Sequence, residues 1–297
     1  IRRDIQEFVD QIPIIDTHEH LLTEQRLFED TSKFRDFMLL FMNYFHQDII
    51  AAGMPEEEWN SMYEIEMAPD RKWKMIESYL PGAKNTGYYW AIDLAIRHYY
   101  GIEGLSANTY EKISERIKQE YCPGIYDRIL RKAAGIERAI VDPCDCQSTT
   151  DFKDHSFLLP AMNVNDWIGL NSRKDLENLC KASNTDITTV SAIRSAVASM
   201  CAREYERGAV AAKHSLAYDR SLDYNFISDR EAQQALDTLW KREDRKAARV
   251  LQDFLFHVLV QGLTDLGIPL QIHTGLLGSS NYGCLAQTNP MLLSDVF

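Results

Sequence analysis

Five short stretches rich in apolar and β-branched residues read as strands: 12–16, 136–142, 157–164, 208–213 and 270–273. The first, with Ile12-Pro13-Ile14-Ile15, is a continuous apolar run, the pattern of a strand covered on both faces in a parallel sheet. Between the later strands the period changes. Val190, Ile193, Val197, Met200, Cys201 and Tyr205 recur at helical spacing before Gly208, and Ala247, Val250, Leu251, Phe254, Leu255, Val258 and Leu259 form one broad face of a helix that starts near Asp244 and ends at Gly267. Strands alternating with helices predict a parallel sheet with right-handed crossovers. The region 21–135 breaks the alternation. There Phe34, Phe37, Met38, Phe41, Met42 and Phe45 form an apolar helical stripe that reads as core, and Pro55, Pro69, Pro81 and Gly82 divide the rest into short elements. It reads as a helical insertion after the first strand.

Polar residues with chemistry fall at the strand ends, where parallel sheets place their ligand groups. His18 and His20 follow the first strand one residue apart, and in extended chain i and i+2 project to the same side. Both imidazoles can therefore reach one metal ion. The competing reading is a pair of surface histidines at a strand-to-loop junction. Glu19, between them, points to the other face. Lys213 ends the fourth strand and reads equally as a solvated charge. His273 ends the fifth, where the choice is between a core histidine and a ligand.

Asp16-Thr17-His18-Glu19-His20-Leu21 resembles the first-strand signature of the amidohydrolase superfamily, metal-dependent (β/α)8 barrels. The resemblance implies metal ligands at His18, His20 and His273, with Lys213 carbamylated and bridging two ions. It also implies a histidine on strand six and an aspartate on strand eight. Only 276–297 follow Gly275, Asn289 to Phe297 reads as the start of a helix, and Asp295 is a poor substitute for that aspartate. The expected fold is thus α/β, a TIM-type barrel truncated after about strand five, forming one partial domain over 1–297. The lack of methionine at Ile1 fits a chain that begins inside a longer product. Within the insertion, Tyr79-Leu80-Pro81-Gly82, Tyr89-Trp90, Leu94, Tyr99-Tyr100-Gly101-Ile102 and Leu105-Ser106 are similar to the corresponding region of uronate isomerases, which belong to the same superfamily.

Composition narrows the partners. Hydrophobic residues make up 45% and charged ones 26%, with no apolar run approaching the length of a membrane span. A net charge of −12, from 32 basic and 44 acidic residues, argues against nucleic acid and leaves a small-molecule substrate. Whether the chain forms a homo-oligomer is open. The six cysteines lack a disulfide framework, and Cys144-Asp145-Cys146 lacks the second pair of a structural zinc site, so reduced thiols in the cytoplasm are expected. In the loop after the fourth strand, Arg220 could clamp a substrate carboxylate and Tyr218 could donate from its phenol. Against this, Arg220 could pair with Asp219 or Asp223, and Tyr218 could pack under the loop.

The expected function is hydrolysis of an amide, ester or lactone by water activated on one or two divalent ions. Zinc suits the imidazoles best, with manganese or iron as alternatives. Sugar-acid isomerisation of the uronate isomerase kind, nonoxidative decarboxylation and a noncatalytic metal-binding fragment are the rival readings.

Overall fold

The computed structural model describes residues 2–9, 11–29, 35–42, 44–63, 67–143, 148–152, 155–278 and 284–296. Phe34, Phe297 and the Cys144-Asp145-Cys146 motif lie outside the described residues. The chain forms two compact units, 1–13 with 23–136 and 14–22 with 137–297. Among the described residues no helix is long and apolar enough to cross a membrane.

The first unit is helical, and its core is aromatic. Phe37, Met38, Phe41 and Phe45 are buried with Trp59, Trp73, Ile76, Ile113 and Ile117. The expected single stripe is split in two: 3-10 turn over Phe37–Phe41, then a helix over Phe45–Ala51. The Asp36 carboxylate accepts from the Met38 N–H at 2.9 Å and caps the start of the turn, and Met42 at its end takes extended backbone (ψ 156°), which breaks the stripe. Asp36 also pairs with the fully buried Lys72 at 2.7 Å, which compensates both charges inside an apolar core. Lys72 and Trp73 belong to α1 (Pro69–Ile76), and Trp73 stacks on Tyr110 at the start of α2 (Tyr110–Glu120) with ring centroids 5.2 Å apart.

The second unit carries β1 (Ile14–Glu19), β2 (Ile136–Val141), β3 (Leu158–Asn163), β4 (Ala211–His214) and β5 (Leu270–Ile272), in that spatial order. Parallel registers link β2 to β5, and the sheet curls into a half-barrel. The curl is visible in a side chain: Gln271 of β5, the last strand, hydrogen-bonds the Thr17 carbonyl of β1, the first. On the outer face α3 (Val190–Glu206), α4 (Asp229–Lys241) and α5 (Arg245–Leu266) pack against one another. Val197, Met200, Leu236, Leu251, Leu255 and Leu259 are buried among them. The long α5 is fixed at both ends, by Asp244 accepting from the Lys246 and Ala247 N–H groups and by Gly267 in the left-handed region at φ 67°.

Three sequence expectations shift. β1 runs on to Glu19 rather than ending at Asp16, so His18 stands within the strand. Its isoleucines are not covered on both faces: Ile14 is 49% and Ile15 63% exposed, because β1 ends the sheet and, among the described residues, pairs with β2 alone. β4 starts at Ala211 and takes in His214, which leaves Lys213 inside the strand.

Candidate metal centre

The register of the sheet builds the site. Asn163 of β3 is aligned with Lys213 of β4, and Lys213 with Gln271 of β5, so the three share one row across the curled inner face. Asp142 follows β2 directly and reaches this face two residues off that row, its Oδ1 accepting from the Asn163 amide at 3.4 Å. β1 supplies His18 and His20, whose rings meet edge-on with centroids 4.7 Å apart. Their Nε2 atoms are 3.2 Å apart. Every strand thus sends a polar side chain to one place.

His18, His20 and Asp142 each present a ligand atom, all within 4.8 Å of one another. Two imidazoles and a carboxylate are a donor set that divalent ions use. The other polar groups also suit a cation. The Lys213 ammonium is the positive charge already there, 3.0 Å from His18 Nε2 and 3.9 Å from Asp142 Oδ2. His20 Nδ1 lies 3.9 Å from the same carboxylate oxygen. The residues present therefore fit a metal ion.

Burial sets the electrostatics. It pushes the His18 pKa down, helped by the charges of Lys213 and His20 and opposed by the hydrogen bond to Gln271, which keeps the ring in the neutral form that binds metals. Lys213 is also pushed down by burial, against the pull of Asp142. Glu19, on the other face of β1, is raised to about 7 by burial and by its hydrogen bond with Asp16.

The remaining expected residues stand apart from this cluster. His273 follows β5 and feels the charges of Lys213 and His18, but its Nε2 is turned to the Leu276 carbonyl at 3.1 Å. Tyr218 packs its ring on His273, with centroids 4.8 Å apart, and its hydroxyl accepts from the Gly278 N–H at 3.0 Å. Arg220 is turned inward. Its guanidinium donates to the Ser221 and Asp223 carbonyls, to Gln252 and, at 2.6 Å, to the buried Asp253. A guanidinium so committed, and 8% exposed, braces the loop after β4. The pairing partners expected from sequence, the side chains of Asp219 and Asp223, are not the ones it takes.

Sequence reasoning missed Asp142, Asn163 and Gln271. For Asp142 a signal existed: Val141-Asp142-Pro143 ends an apolar strand on a carboxylate, just as the first strand ends on imidazoles. Asn163 also lines a cavity of about 340 Å³ with Pro143, Thr149, Asn165 and Trp167.

No protein-family model matches the sequence, and no curated protein matches it. Among solved structures the chain is similar to uronate isomerase from Thermotoga maritima, with a TM-score of 0.73 and 16% identity over 99% of this chain and 71% of that one. It is similar to glucuronate isomerase from Caulobacter crescentus at a TM-score of 0.71 and 18% identity, over 98% of this chain and 62% of that one. A protein from Lactobacillus casei proposed to be a metal-dependent hydrolase gives a TM-score of 0.54 and 16% identity, over 98% and 65%. The chain therefore spans about two thirds of the length of these structures. At such identities the likeness is one of fold.

Proposed function

We propose that this chain belongs to a metal-dependent enzyme that isomerises a small sugar acid. The observation that carries the reading is the convergence of His18, His20 and Asp142 within 4.8 Å, ligands enough for one ion. His273, which a second ion would need, has its Nε2 turned to the Leu276 carbonyl. A divalent ion at this site would supply Lewis acidity to a carbonyl and the hydroxyl on the next carbon, the chemistry that aldose–ketose exchange requires. The chain's own residues hold and tune that site. In the metal-free protein Lys213 stands 3.0 Å from His18 Nε2; with that nitrogen turned to an ion, the lysine's N–H groups would be offered to oxygen that gains negative charge. The fold likeness to two uronate isomerases is consistent with this choice. Zinc is the ion proposed first, for its affinity for imidazole, ahead of manganese and iron. We place the protein in the cytoplasm, in keeping with Cys122, Cys180, Cys201 and Cys284, which are all unpaired.

A second reading, hydrolysis of an amide, ester or lactone, is favoured by one observation. Burial pushes Lys213 toward the neutral amine, the form that combines with carbon dioxide to give a bridging carbamate. That route asks His273 to leave the Leu276 carbonyl and join a second ion.

The two readings part in one experiment. Protein purified without chelator is analysed for metal, then incubated with hexuronates in deuterium oxide and with panels of amides, esters and lactones. About one ion per chain, with aldose–ketose interconversion and deuterium entering at the carbon that gives up its carbonyl, supports the isomerase. About two ions and a new carboxylate support the hydrolase. Full metal content in a His18→Ala, His20→Ala double variant would remove the site on which both rest.

A further inference from the structure

We infer that Gln271 is a positioning residue: it fixes the hydrogen of the His18 ring on Nδ1 and so reserves Nε2 for the cation. The first half of this inference stands on hydrogen bonding alone, and the second rests on the metal-centre reading above.

The geometry leaves one assignment. The Gln271 amide touches two groups, the Thr17 carbonyl and His18 Nδ1, the latter at 2.8 Å. A carbonyl only accepts, so the NH2 end of the amide must face Thr17 and the oxygen must face His18. That oxygen in turn only accepts. His18 Nδ1 therefore carries the hydrogen, and a neutral ring then has its lone pair on Nε2.

Lys213 agrees where it is an ammonium: it stands 3.0 Å from His18 Nε2 and can then only donate, so in the metal-free protein that nitrogen is the acceptor. Register explains why the two agree. Lys213 and Gln271 are aligned on neighbouring strands, so one row of the sheet grips both nitrogens of a single ring from two sides. The Thr17 contact is what makes the grip directional. Without it the amide could turn over and present its NH2 to His18, which would favour the opposite tautomer. Groups that orient a ligating imidazole in this way typically account for roughly 10- to 100-fold in metal affinity.

The test uses the whole chain. Nitrogen-15 NMR of the imidazoles, on metal-free protein near neutral pH, should show His18 with its hydrogen on Nδ1. In Gln271→Leu the ring should populate both tautomers, and in Gln271→Glu, which keeps an acceptor toward His18, the Nδ1–H form should return. Zinc affinity, measured by competition with a chromogenic chelator, should fall roughly 10- to 100-fold in Gln271→Leu and recover most of that loss in Gln271→Glu. An Nε2–H ring in the unaltered protein would overturn the inference without any variant, as would a tautomer and affinity indifferent to Gln271→Leu. If the unaltered protein takes up no zinc while the tautomer follows residue 271, the positioning role stands and the metal-centre reading fails.

Discussion

Lys213 and Arg220 sit a few residues apart and end in opposite situations. Lys213 meets an imidazole and a carboxylate at the sheet's inner face, whereas Arg220 turns into the protein and pairs with Asp253, which is 2% exposed. Removing one partner of such a pair strands the other charge, which costs about 3–5 kcal/mol. Arg220→Ala should therefore lower the stability read from denaturant unfolding by about that amount and leave metal content per folded chain unchanged. Lost metal at retained stability would return Arg220 to the site. His214, next to Lys213 but on the outer side of β4, is fully buried between Tyr224 and Phe256, and among the described residues its Nε2 has no hydrogen-bond partner. Burial, together with the charges of Arg220, Lys213 and His273, pushes its pKa down to about 3. The unfolded chain takes up this proton near 6.5, so between those values it binds more protons than the native state. Stability should fall as pH drops through that window, by at most about 1.4 kcal/mol per pH unit from this residue. A shallower slope in His214→Gln is the expected result, and an unchanged slope would assign the pH dependence elsewhere. Of the residues in the cluster, His18 and His20 were legible from their i, i+2 spacing at a strand end, and Lys213 from the family resemblance. Asn163 and Gln271 were not, since one amide in an apolar run carries no pattern until register aligns it with its neighbours, and the carboxylate that ends the second strand at Asp142 was a signal left unread.

At the scale of elements, the long helix α5 shows where sequence signals hold best. Its apolar face, its Asp244 start and its Gly267 stop are all local, and all three are found in the structure. Asp244→Ala deletes an acceptor for two backbone N–H groups and should cost about 1 kcal/mol, seen as a lower denaturation midpoint with the metal site intact. A loss above about 3 kcal/mol would mean that the residue does more than cap. β1 shows the reverse. Its isoleucines follow the pattern of a buried strand, yet whether a strand is covered depends on what lies beside it in space, which no local pattern records. The Phe37–Phe45 stripe errs in a third way: burial was legible, while the extended Met42 that divides it was not.

For the molecule as a whole, the order of strands along the chain equals their order in the sheet, so the alternation of apolar runs and helices was enough to predict the sheet, while its barrel curvature was an expectation from the family resemblance. The site inherits its precision from that sheet, because five strands fix its six polar groups. Metal binding should accordingly be coupled to folding. Zinc at about 100 times its dissociation constant should raise the unfolding free energy by about 2.7 kcal/mol, and a chelator should reverse it. No shift in the unfolding midpoint at that concentration would mean that the folded and unfolded chains hold the ion equally well.

β1 carries both histidines yet is the least enclosed strand, with its start open to water, while all four residues of β4 are buried. Such a segment is the natural first place for the native state to come apart, and its backbone amides should trade hydrogen for deuterium well before those of β3 or β4. An ion bound there would act as a clasp, slowing exchange across 14–20 and hardly anywhere else. Loss of the metal would then cost the protein one strand's grip rather than its fold.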